Sequence, residues 1–260
     1  MVPAMMQEWS SEGHWIPTEA LELFGTLASI ALVLVLVVLL VRGWLRRDLF
    51  RAVETLGEKD QTAVHDALVE AEKRTVGEVL PVVLERSDRH PEGLWLAAMF
   101  VALVGSASLA HWLPWDRPVL LLLAQTFFGA GGYLLAVKIK GFHRAFVRES
   151  RATEMAEEQA FQEFYRNGLH ETQDRTGVIL FVSLFERRVV VLADRGIDRL
   201  AEEDAWVAVD SAVLRGVTGG SLSSGLVEGI RLCGDALEKH FPWRDGDRNE
   251  IPDRLIVREE

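Results

Sequence analysis

The stretch TGVILFVSLFERRVVVLADRGI, residues 176–197, decides the fold. Val178 to Phe185 is a nearly continuous apolar run and Val189 to Ala193 is a second, with only Glu186, Arg187 and Arg188 between them. Short apolar runs rich in β-branched residues read as buried strands. So short a link permits an antiparallel hairpin and excludes a helical crossover.

Working outward, the flanking segments carry helical periodicity. Downstream, Trp206, Val209, Ala212 and Val213 mark one helix, and after the Gly219 and Gly220 break Leu226, Ile230, Cys233 and Leu237 mark another, ending near His240, Phe241 and Pro242. Upstream, Ala156, Ala160, Phe161 and Phe164 place an apolar stripe on a helix from about Arg151 to Arg166, with Asn167 and Gly168 as its C-cap. Earlier still, Val64, Leu68 and Ala71 recur at helical spacing from Asp60 to Lys73. Gly77 ends that element, and Val79 to Leu84 reads as a short buried strand in which Pro81 marks an edge or a bulge. The expected fold class is α/β, a small mixed sheet packed with helices.

Three uncharged runs, Leu23 to Val41, Gly93 to Trp115 and Pro118 to Val137, hold 19, 23 and 20 residues. About 20 apolar residues at ~1.5 Å rise span the hydrocarbon of a bilayer, so three transmembrane helices are expected and a simple soluble enzyme is excluded. Trp15, Trp44, Trp95, Trp112 and Trp115 fall near the ends of these runs, at headgroup level.

The net charge of -11 is distributed unevenly. Residues 1–22 hold Glu8, Glu12, Glu19 and Glu22 without Lys or Arg, whereas Arg42, Arg46, Arg47 and Arg51 follow the first run and Lys138, Lys140, Arg144, Arg148 and Arg151 follow the third. Positive charge stays on the cytoplasmic side, which predicts an outside N-terminus, an outside turn at Asp116 and Arg117, and a cytoplasmic α/β domain. The basic run below the third span fits anionic lipid and topology better than nucleic acid. The expected partner on these grounds is therefore the lipid bilayer, with no nucleic acid.

Ala98, Ala102, Ser106 and Ala110 recur every four residues and offer a helix-packing face, for a partner's helix or for the third span with its Gly129, Gly132 and Ala136. The histidines lack ligand spacing and Cys233, the single cysteine, sits on an apolar helical face. Asp245, Asp247 and Asn249 lack the Gly and Glu that complete a calcium loop, and read as a solvated turn.

The order of helix, Gly77-Glu78 strand, helix with Phe161 and Phe164, and strand pair 176–183 and 188–197 resembles the TPM domain family. Its soluble members include thylakoid-lumen photosystem repair proteins, and the chain looks like the bacterial membrane subgroup with a transmembrane hairpin inserted after the first strand. The resemblance covers roughly residues 55–92 and 145–242, and the strand pair is its most specific part. It implies a compact α/β sandwich, acid phosphatase activity in some members, divalent-cation binding, and roles in assembly or repair of membrane complexes. Many relatives place Asp or Asn before the Gly opening the second strand and a Gly-Tyr-Gly turn after the third. Here those positions hold Thr176 and the segment Asp194, Arg195 and Gly196, with Asp174 two residues earlier.

The expected organisation is an external segment 1–22, transmembrane helix 23–41, a TPM-like domain in two parts at 55–92 and 138–242, a transmembrane hairpin 93–137, and a C-terminal tail 243–260. Asp194, Asp198, Glu202 and Glu203 cluster where the chain leaves the second strand of the pair, and could gather oxygen ligands for a divalent cation such as calcium. The same acidity also suits the start of the next helix, in which case no cofactor is bound. Two functions follow: a non-catalytic membrane-anchored protein that binds, assembles or maintains a membrane complex, or a membrane-anchored, cation-dependent acid phosphatase. No nucleophile or complete catalytic set can be named.

Overall fold

A computed structural model describes residues 18–45, 56–109, 118–198, 203–219 and 221–258. The first helix, α1 (Thr18–Leu45), is apolar on all sides. The chain continues through α2 (Glu58–Glu72), β1 (Glu78–Leu84), the long apolar helices α3 (Pro91–Leu109) and α4 (Pro118–Lys138), the short α5 (Lys140–Arg144) and α6 (Glu149–Arg166). It then forms β2 (Gly177–Ser183), β3 (Arg188–Ala193), α7 (Arg195–Asp198), α8 (Glu203–Gly219), α9 (Leu222–Glu238) and β4 (Ile256–Arg258).

The strands lie in the order β3-β2-β1-β4. β2 and β3 form the antiparallel hairpin expected from residues 176–197, with Ser183 opposite Arg188. β1 pairs in parallel with β2 over its full length, from Glu78 opposite Gly177 to Leu84 opposite Ser183. The connection between these parallel neighbours runs through α3, α4, α5 and α6, so strands on both sides of the apolar hairpin belong to one sheet.

Alternation along β1 and β2 feeds two cores. Val79, Val83, Val178, Leu180 and Val182 point to the side covered by α2, α8 and α9, where Leu68, Val209, Val213, Leu226, Ile230 and Cys233 are buried. Leu80, Val82, Leu84, Ile179 and Phe181 point to the other side, against Ala156, Ala160 and Phe164 of α6. Burying each large apolar side chain contributes about 1.5–3 kcal/mol. Both faces of β1 and β2 are covered, which explains why these strands read as continuous apolar runs instead of alternating ones.

Two expectations are corrected here. Phe161 does not belong to the buried stripe of α6: it is 56% exposed and packs on Tyr165 with ring centroids 4.7 Å apart. The buried face runs through Ala152, Ala156, Ala160 and Phe164 and includes the carboxylate of Glu163. Residues 243–258, expected as a tail, return to the sheet, where β4 pairs in parallel with β1 at Val82, Val83 and Leu84. Asp245 and Asp247 do lie in an exposed turn along the way.

Pro81 fits because of backbone parity. The Glu78 N–H donates to Thr176 O and the Glu85 N–H to Arg258 O, so odd-numbered residues of β1 face the β4 edge. β4 begins only opposite Val82, and the missing donor of Pro81 falls where β1 has no neighbour.

Three helical segments, Leu23–Leu45, Pro91–Leu109 and Pro118–Lys138, are long and apolar enough to cross a membrane, with mean hydropathy of 2.9, 1.6 and 1.7. α3 and α4 pack closely: a Cβ on Gly132 would lie 2.7 Å from that of Val101. α1 docks at the foot of this hairpin, where a Cβ on Gly141 would lie 2.5 Å from the Gly43 Cα.

Candidate functional site

Parallel pairing brings the C-terminal ends of β1 and β2 side by side, beneath the feet of the α3–α4 hairpin. Pairing continues past the strand ends, with the Leu184 N–H donating to Leu84 O (3.0 Å) and the Phe185 N–H to Glu85 O (2.9 Å). The β2–β3 turn, with Arg187 at φ 54°, folds Glu186 back over its own strand, where the Ser183 hydroxyl donates to its carboxylate.

Glu186 is wholly buried, and donors converge on it from β1's exit loop. The N–H groups of Ser87 (3.1 Å) and Asp88 (3.3 Å) donate to its carboxylate, as does His90 Nε2 (2.7 Å). Backbone N–H groups can only donate, so Glu186 is the acceptor and the His90 proton is assigned to Nε2. His90 is also fully buried and has a φ of 46°. A left-handed backbone at a non-glycine residue costs about 1–3 kcal/mol and persists only where its surroundings enforce it.

The other ring nitrogen, Nδ1, lies 3.3 Å from Glu92 Oε1 and 3.6 Å from Asp88 Oδ2. These three atoms lie within 4.8 Å of one another, an arrangement able to hold a metal ion. Burial lowers the affinity of His90 for a second proton, but the hydrogen bond and charge of Glu186, joined by Glu92 and Asp88, outweigh it and leave the imidazole above the ordinary histidine range.

The hairpin foot is bonded into this cluster. His143 Nε2 lies 2.9 Å from His90 O, Arg144 Nη2 donates to Glu186 O at 3.2 Å, and Lys140 pairs with Glu85. Burial, aided by the charges of His90 and Arg86, pushes His143 below the usual histidine range despite its bond to the His90 carbonyl. Beside it opens a cavity of about 290 Å³, lined by Glu85, Arg86, Arg89, Lys140, His143 and Phe185 among others.

A second titrating cluster lies at the opposite end of the sheet. Burial and the carboxylates of Asp247 and Asp253 push Glu78 up to about 7, against the hydrogen bonds it accepts from the Glu250 and Ile251 backbone. Burial, a hydrogen bond with Asp253 and the neighbouring carboxylates push Glu72 up to about 9.

Of the acidic residues expected to bind a cation, only the Asp194 side chain is described. It is buried, accepts from the Arg195 N–H at 2.7 Å and has Arg175 Nη1 3.7 Å from its other oxygen. Asp198 ends α7 and Glu203 opens α8, with side chains outside the described set, and Glu202 lies outside the described residues. On the helix-packing face, Ala98 and Ser106 are buried, and a Cβ on Gly129 would lie 3.7 Å from that of Ala102, so these positions serve the hairpin's own packing. Ala110 lies outside the described residues.

His90, Glu186, Asp88 and Glu92 were not singled out by the sequence. A local signal does exist, since Asp88, His90 and Glu92 alternate immediately before an apolar run. Glu186 lies 96 positions from His90, and nothing local announces it.

The architecture defines the class: a mixed α/β domain whose parallel β1–β2 crossover contains an apolar helical hairpin. No family model and no curated protein matches the chain. Among solved structures it is similar to the NMR structure of the BA42 protein from the psychrophilic bacterium Bizionia argentinensis, with 19% identity over 78% of this chain and 94% of that one, and a TM-score of 0.49. At that score the likeness bears on neither fold nor function.

Proposed function

We propose that this chain is an integral membrane protein of TPM type, its N-terminus outside and its α/β domain at the cytoplasmic face, which binds and helps assemble or maintain a membrane protein complex without catalysis. The observation that carries this reading is the coupling of the sheet end to the hairpin foot through His143 and the His90 carbonyl, Arg144 and the Glu186 carbonyl, and Lys140 and Glu85. Those bonds fix the domain against the hairpin in one orientation, as a docking platform at a bilayer requires. The charge asymmetry of the loops supports the orientation. Copurification from mild detergent tests it: a membrane partner retained by the wild type and lost when Lys140 and Arg144 are both replaced by Gln supports the platform. Recovery of the chain alone from native membranes argues against it.

One observation favours a second reading, a cation-dependent acid phosphatase. Arg86, Arg89 and Lys140 line the 290 Å³ cavity, and guanidinium and ammonium groups suit a phosphate. Hydrolysis of a phosphomonoester by the purified chain, dependent on added divalent cation, would select this reading.

A further inference from the structure

The geometry points to a divalent transition-metal site formed by Asp88, His90 and Glu92, distinct from the acidic turn at Asp194 and independent of whether the domain assembles complexes or hydrolyses phosphate esters. The two sides of the His90 ring differ. On one, Nε2 makes a short 2.7 Å bond to buried Glu186. On the other, Nδ1 faces two carboxylate oxygens at 3.3 and 3.6 Å.

Charge-assisted N–H···O bonds close to about 2.7–2.9 Å, as the Glu186 contact does. At Nδ1 the hydrogen bond to Glu92 is longer, 3.3 Å, and Asp88 stands 3.6 Å away, so these separations are loose for ion pairs. They match the edge of a tetrahedron around a metal, since metal–ligand bonds of about 2.0–2.1 Å place neighbouring ligand atoms about 3.4 Å apart.

The proton count agrees. A metal would displace the proton that Nδ1 shares with Glu92, and with the remaining proton on Nε2 the ring would present a lone pair beside the Asp88 and Glu92 carboxylates. That lone pair and the two carboxylates would then converge on one cation.

Carboxylates alone would be unremarkable here, because α3 begins at Pro91 and helix N-termini favour negative charge. Helix capping does not explain a buried imidazole aimed between them. Nor does it explain the partner on its far nitrogen, since a carboxylate that fixes the tautomer and orientation of the ring is the usual outer support of a metal-bound histidine. Ser183 and the Ser87 and Asp88 N–H groups hold that carboxylate in turn.

Asp88 and Glu92 are partly exposed, which leaves an approach from solvent and a fourth position open. One imidazole and two carboxylates make a nitrogen and oxygen set suited to zinc, with three protein ligands and one exchangeable site.

The test uses the full chain in mild detergent, stripped by a chelator and titrated calorimetrically with zinc alone. One site per chain is expected. Asp88→Asn and Glu92→Gln should each weaken it at least about tenfold, because even outer-shell changes at metal centres cost ten- to a hundredfold. Asp194→Asn should leave it unchanged. Cobalt in place of zinc should give a visible d–d spectrum without thiolate charge transfer, a readout that needs no variant to fold.

Absence of zinc uptake by the folded wild type overturns the assignment and leaves a proton on Nδ1. Uptake that survives the Asp88→Asn and Glu92→Gln double change, or that is lost in Asp194→Asn, places the metal elsewhere and overturns it equally.

Discussion

His90 and Glu186 stand 96 positions apart in the chain and join through a 2.7 Å hydrogen bond between two side chains with no solvent exposure. The bond ties the β2–β3 turn to the loop that enters α3, and so ties the sheet to the hairpin. Glu186→Ala would leave the Ser183 hydroxyl, two backbone N–H groups and His90 without their acceptor. Unsatisfied buried groups cost about 1–3 kcal/mol each and removal of one member of a buried charged pair about 3–5 kcal/mol. A loss of about 3 kcal/mol or more in chemical denaturation is expected, and a change under about 0.5 kcal/mol would show that the turn and loop are not coupled.

Arg258 gives a similar test for the last strand. Its guanidinium lies 2.9 Å from Glu163, a carboxylate 2% exposed whose other contacts are Asn167 and a more distant Arg166. Arg258→Ala should destabilise the protein by about 1–3 kcal/mol, by leaving that buried carboxylate short of a charged donor. A neutral result in urea denaturation would mean that the Arg258–Glu163 pair adds nothing to the fold.

The pH dependence of stability has a definite sign. Glu78 and Glu72 are raised from an ordinary 4.5 to about 7 and about 9, so the native state holds protons that the unfolded chain has released. Their contribution is complete below the unfolded value and is lost as pH rises through the folded ones. Urea midpoints should therefore fall between about pH 5 and 9, and Glu78→Gln, which keeps an acceptor for the Glu250 N–H, should flatten the lower part of that fall. A rise over this range would contradict the environment described for these carboxyls.

Orientation is measurable with cysteine labelling, because Cys233 is fully buried and its thiol is pushed up to about 12 by burial. A cysteine at Glu12 should react with an impermeant reagent in intact cells, and one at Glu259 should not. The reverse pattern would place the α/β domain outside.

The two sheet cores share no residue with the hairpin cluster of Ala97, Val101, Ala136 and Phe142. A chain beginning at residue 55, with residues 93–137 replaced by a short flexible linker, should then unfold cooperatively as a soluble domain. Non-cooperative unfolding would show that the hairpin completes the core.

Local patterning carried much of the architecture in the sequence. Strands covered on both faces leave an uninterrupted apolar run, so Val178 to Val182 was legible without any partner, and the link to Arg188 was too short for anything but a hairpin. Helices showed through their 3.6-residue period, and the three apolar helices through length alone. Phe161 was misplaced because its neighbour Ala160 is buried and one step along a helix turns about 100°.

What only the tertiary structure decided depends on segments that meet across long stretches of chain. Three residues of β4 are too few to show a period, and their strand exists because β1 offers an unpaired edge beside Val82. The pairing of β1 with β2 in one register sets Leu84 beside Ser183, and from that follows the meeting of His90 with Glu186 and of His143 with the His90 carbonyl. A periodic pattern reports which face of an element is buried. It says nothing of which distant donor faces which acceptor, because that is fixed by register and chain crossing.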